Sequence, residues 1–111
     1  MSKVKYVLLL PLTYNDKTKV PKLLRRRIFD DLYRLANGYH IAGKGRGAYR
    51  MKSGQKQVDW CLQVWVAVEE QDEQALKEMV AGFAELLGQE SIYLERVNST
   101  VEFIPPKAPG G

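Results

Sequence analysis

Between Val58 and Val68 every second residue is apolar, so Val58, Trp60, Leu62, Val64, Val66 and Val68 line one side of an extended chain. A period of two held over such a length fits a β-strand with one face in a core, and no helix. The intervening Cys61, Gln63, Trp65 and Ala67 point the other way. Val4 to Leu12 is a second strand, with Val4, Tyr6, Leu8, Leu10 and Leu12 on one face and Val7 and Leu9 on the other. Apolar residues on both faces mark a strand in the middle of a sheet. The rest of the chain must cover and extend that sheet.

Asn15-Asp16-Lys17 reads as a turn, Pro21 suits the first helical position, and Asn37-Gly38 supplies a left-handed stop. Between them Leu24, Ile28, Leu32 and Leu35 recur at helical spacing. Tyr39 to Met51 reads as a glycine-rich edge strand with a bulge, and Ser53-Gly54 turns the chain into the Val58–Val68 strand. Asp72 is placed to cap a second helix, whose Leu76, Met79, Val80, Phe83 and Leu87 share one face and which Gly88 ends. Ile92 to Ile104 is a last extended segment, broken at Asn98-Ser99-Thr100 into a hairpin or a bulged strand. The order βαββαβ predicts an α+β ferredoxin-like plait, a four-stranded antiparallel sheet with two helices on one face. Residues 1–104 form one domain in this reading, and 105–111 a flexible Pro/Gly tail.

A chain of 111 residues can bury one core without staples. Lone Cys61 excludes an intramolecular disulfide framework. The apolar stretch Tyr6–Leu12 is too short to span a bilayer, and no small-residue cleavage site follows it. The default reading is a cytoplasmic protein without a membrane partner. A single His40 beside a single Cys61 leaves no metal site of those ligands and no nucleophile–base set, and nothing calls for a cofactor. Glu69, Glu70, Asp72 and Glu73 precede a helix and read as partners of its dipole rather than as a cation site.

Helices on one side leave the other face of the sheet open. Val7 and Leu9 of the first strand, Trp65 of the third and Tyr93 of the last fall on that face. Apolar and aromatic residues grouped there mark an interaction surface. A register shift would instead send Trp65 into the core. Two copies can pack through such a face with twofold symmetry, or bases can stack on its rings. Self-association ranks first, because aliphatic residues outnumber aromatic ones on the face.

Charge is divided along the chain: residues 1–58 carry fourteen Lys/Arg and three Asp/Glu, residues 59–111 three and ten. No acid lies between Asp31 and Asp59. Lys44, Arg46, Tyr49, Arg50 and Lys52 form a basic, glycine-punctuated run that is the candidate contact for an anionic partner, RNA or single-stranded DNA. The plainer reading is a twisted edge strand with solvated cations. Arg25-Arg26-Arg27 is offset by Asp30 and Asp31 one turn on, and packing of the basic first helix against the acidic second would use both charges. A third reading places His40 and Tyr49 near a sheet-lined pocket of a small dimeric α+β-barrel enzyme. The preferred reading is a non-catalytic, homodimeric binding module.

Gly45-Arg-Gly-Ala-Tyr-Arg50, the long central strand and Leu87-Gly-Gln-Glu-Ser-Ile92 together resemble a family of small bacterial α+β proteins of unknown function. In that family a Gly-x-Gly-x-aromatic-Arg strand precedes a Gly-Gln-Glu-Ser-Ile/Val turn. The resemblance implies the fold and no activity, and it singles out Gln89, Glu90, Ser91 and the Arg50 strand. Terminal Gly110-Gly111 is similar to the end of ubiquitin-like and sulfur-carrier proteins, but those folds open with a β-hairpin where this chain turns into a helix.

Overall fold

A computed structural model describes residues 3–108, so Gly110-Gly111 lies outside the described residues. The elements are β1 (Val4–Pro11), α1 (Lys22–Ala36), β2 (His40–Arg50), β3 (Lys56–Val68), α2 (Glu73–Leu86) and β4 (Leu94–Arg96). The sheet order is β2-β3-β1-β4, and every pair is antiparallel. This is the ferredoxin-like plait that the alternation of elements predicts.

β1 and β3 form the centre of the sheet, with Leu8 opposite Val64 and Tyr6 opposite Val66. These side chains meet Ile28 and Leu32 of α1 and Leu76, Val80 and Phe83 of α2 in one continuous core. Full burial of each large aliphatic chain contributes about 1.5–3 kcal/mol. The turn after α1 uses Asn37, at φ 62°, to return its N–H to the Tyr33 carbonyl. After α2 the N–H of Gly88, at φ 61°, donates to the Glu85 carbonyl, and the Gln89 N–H reaches the Ala84 carbonyl. Left-handed residues at these positions satisfy carbonyls that the helix leaves open.

Four expectations need correction, and the two alternatives for the last segment are resolved. Pro21 precedes α1 instead of starting it, and Asp72 makes no side-chain cap but ends a short 3₁₀ turn, Glu70–Asp72. The last segment pairs with β1 over Leu94–Arg96 only, then rejoins it through one bridge between Lys3 and Val101, which makes it a bulged strand and not a hairpin. Trp60 is 49% exposed: the paired ladder of β1 and β3 ends opposite Cys61, and past it one bond from the Leu12 N–H to the Trp60 carbonyl continues the contact. The ion pairs among the described residues are Arg34–Asp31 and Arg96–Glu73, and neither joins the two helices. The charge division is therefore not neutralised by helix pairing.

One polar device crosses the fold. Tyr6 is 1% exposed, yet its hydroxyl donates to Glu73 Oε1 at 2.6 Å. The same oxygen accepts from Arg96 Nε at 2.7 Å, so β1, α2 and β4 are tied at one atom. The Arg96 hydrogen bond, with Tyr6 second, holds the Glu73 carboxyl below its usual range.

Candidate functional site

Alternation sorts the residues of the uncovered face. Val7 is opposite Trp65, Leu9 opposite Gln63, and Glu95 opposite Val7 on the other side, so Tyr93, two residues before Glu95, shares their face. Trp65 is 36% exposed and Tyr93 51%, while Val7 is buried beneath its neighbours. The four residues Val7, Leu9, Trp65 and Tyr93 thus lie on one side of the sheet, with both helices on the other. Lys5 stands on this face too, its Nζ 3.7 Å from the centre of the Trp65 ring, and His40 lies against the same ring with centroids 5.2 Å apart. A cation over an indole face is attracted by the ring quadrupole.

The basic run of β2 is split by the same alternation. Gly43, Gly45 and Gly47 pair with Gln63, Cys61 and Asp59 and turn toward the open face. Lys44 and Arg46, opposite Leu62 and Trp60, project to the helix side, where Lys44 Nζ stands 5.2 Å from the Trp60 ring. Tyr49 faces the open side, opposite Gln57. Lys52 sits in the β2–β3 turn, where its backbone N–H donates to Glu90 Oε2 at 3.1 Å. The five candidates for anion contact do not form one stripe.

The glycine at 47 has a local reason. A Cβ there would lie 2.6 Å from Tyr49 Oη and 2.9 Å from two ring carbons, so only glycine lets the tyrosine fold back over the strand. The ring closes one side of a cavity of about 200 Å³ at the end of the open face. Gln57, Asp59, Cys61, Leu9 and Tyr93 line it from the sheet, Arg50 and Met51 from the end of β2, and Gln89, Glu90 and Ser91 from the loop after α2. The residues that the family resemblance singled out are thereby brought to one place. Gln89 is fixed by donating from Nε2 to Asn15 Oδ1 at 3.1 Å, and Asn15 in turn donates to the Gly88 carbonyl at 3.2 Å.

Asp59 is the residue that sequence reasoning missed. It is 5% exposed, and its Oδ1 accepts from Gln57 Nε2 at 3.0 Å. A lone acid in an alternating strand reads as solvent-facing, but here the Tyr49 ring folds back over Gly47, the residue opposite Asp59. Burial, with Asp59 second, pushes the Cys61 thiol up to about 11, so the sulfur is a neutral thiol and no nucleophile near pH 7. Burial likewise raises the Tyr49 phenol.

A second cavity, about 580 Å³, lies at the other end of the face between Trp65, His40, Tyr39 and Phe103, with Lys3 and Lys5 on its wall. His40 and Tyr49 therefore line different cavities, about 30 Å apart along one strand. Among the described residues no three His, Cys, Asp or Glu side chains are grouped to hold a metal ion. No helix of the described residues is long and apolar enough to cross a membrane.

Two solved structures share the fold. A phage SAM lyase in complex with S-methyl-5'-thioadenosine matches with a TM-score of 0.62 and 14% identity, over 89% of this chain and 87% of its own. The divalent cation tolerance protein Cut A1 from Thermus thermophilus matches with a TM-score of 0.54 and 20% identity, over 96% of this chain and 88% of its own. Likeness at these identities shows the fold alone. No family model matches the chain, and no curated protein matches it.

Proposed function

We propose that the protein is a binding and assembly module whose uncovered sheet face is the contact between two copies of the chain. The observation that carries this reading is the placement of Val7, Leu9, Trp65 and Tyr93 together on a face that no helix covers. An antiparallel sheet facing water is ordinarily polar on that side. The face also carries both signs of charge, Lys5 and Glu95, so a twofold-related copy presents complementary charges as well as apolar surface. The runner-up is binding of RNA or single-stranded DNA. The split of Lys44 and Arg46 from Tyr49 weakens it, while Lys5 on Trp65 is the arrangement that favours base stacking at the second cavity. The enzyme reading loses support with the separation of His40 from Tyr49. Molar mass by light scattering, with and without a single-stranded oligonucleotide, separates the first two readings. A mass near twice the 12.7 kDa of one chain, unchanged by oligonucleotide, is expected. A monomer that gains mass only with oligonucleotide overturns the assembly reading in favour of the runner-up.

A further inference from the structure

We propose that the cavity behind Tyr49 is a binding site for a small organic cation, a protonated amine or amidine on a flat apolar body. The proposal goes beyond the assembly reading, and because Leu9 and Tyr93 line the cavity as well as the uncovered face, a second copy of the chain would pack at its edge. Its basis is Asp59, a carboxylate more than nine-tenths buried in the cavity wall and in no ion pair among the described residues. One of its oxygens is taken by Gln57, and the other accepts no hydrogen bond from the described residues. Among the described residues no buried side-chain oxygen or nitrogen is sealed without a partner, so this free oxygen is not sealed, and Asp59 lines the cavity. A carboxyl oxygen without a partner is completed by a group that brings N–H or O–H donors. Positive charge on that group offsets the cost of holding the carboxylate away from water.

Most of the wall fits the same ligand, Arg50 being the one cation in it among the described residues. Glu90 adds a second carboxylate to the wall, engaged only by the Lys52 backbone N–H. Tyr49, Tyr93, Leu9 and Met51 supply flat and apolar surface, and aromatic rings favour a cation beside them. At about 200 Å³ the space is smaller than the roughly 300–1,000 Å³ that drug-sized ligands occupy, which limits the ligand to about one ring with its head group. The wall is also held in place before any ligand arrives, because Gln89 and Asn15 lock the loop that carries Glu90.

Benzamidine is the probe, with benzyl alcohol as its neutral counterpart and benzoate as its anionic one. In amide-proton NMR titrations the side-chain amides of Gln57 and Gln89 should shift saturably with benzamidine below about 10 mM, and at least tenfold less readily with the other two. Asp59→Asn should weaken benzamidine binding about ten- to hundredfold. Its fold is checked by circular dichroism, and Glu90→Gln should give a smaller loss. Absence of saturable shifts overturns the proposal, as does equal response to benzoate, or a folded Asp59→Asn that binds as the wild type does. If Asp59→Asn fails to fold, the comparison of the three probes on the wild-type protein still decides. Molar mass recorded on the same samples keeps a failure here distinct from a failure of the assembly reading.

Discussion

Gly47→Ala tests the geometry of the cavity through a reporter already in it. The new Cβ would stand 2.6 Å from Tyr49 Oη and 2.9 Å from ring carbons, well inside contact distance, so the ring must swing off the strand. Overpacking of this kind costs about 1–3 kcal/mol, and a ring at the protein surface can yield at the low end of that range. With the ring displaced, Cys61 and Asp59 gain water. The Cys61 thiol is held at about 11 by burial, against an ordinary value of 9.0. At roughly pH 8 the wild-type thiolate fraction is then about one in a thousand, and full exposure would raise it to about one in ten. The ceiling on the gain is about a hundredfold, and access adds to it. Reaction with a disulfide reagent at fixed pH measures the rate directly, and Tyr49→Ala should reproduce the acceleration. A folded Gly47→Ala protein whose Cys61 reacts at the wild-type rate would refute the account of Tyr49 as the wall that covers this end of the face.

Three further outcomes follow from the geometry. Tyr6→Phe removes one donor from Glu73 but leaves Arg96, so urea unfolding should show a loss of about 1–2 kcal/mol, well below the roughly 2–5 kcal/mol expected for Leu32→Ala in the core. The neutral Cys61 thiol is favoured by the fold, so above pH 9 the unfolded chain loses that proton first; stability should fall between pH 9 and about 11, then level off, and Cys61→Ala should remove this component of the pH profile. Lys44, Arg46 and Arg50, opposite Leu62, Trp60 and Lys56, share the helix side by strand register, so any single-stranded RNA binding through them should show a log–log salt slope no steeper than about −2.1, and a slope near −3 would contradict the split.

The sheet was legible because its two central strands carry unambiguous periods. Alternation from Leu62 to Val68 and the two-sided pattern of β1 leave little choice of register, and Asn37 and Gly88 stop the helices where left-handed residues are needed. Trp60 misled because hydrophobic periodicity records which side a residue takes, not whether anything covers it there. The short β4 was hidden for a related reason: a run of extended residues makes a strand only where a neighbour offers its ladder, and β1 does so over Leu94–Arg96. The division of glycines from cations in β2 was present in the alternation of Gly43-Lys-Gly-Arg-Gly47 and needed only the register to assign the faces. Asp59 was not legible at all. Beside it a ring on the adjacent strand folds back over Gly47, the residue opposite, an arrangement with no local signature.

The central claim is that the uncovered face joins two copies, and sedimentation equilibrium of the wild type beside Trp65→Glu tests it most directly. Trp65 lies on that face at 36% exposure, so a carboxylate there leaves the core untouched but would have to be buried in the contact between copies. At high micromolar concentration the wild type should sediment with a mass near twice 12.7 kDa, and the folded variant with the mass of one chain. A wild-type protein that is monomeric at that concentration, or a variant that remains dimeric, would contradict the account.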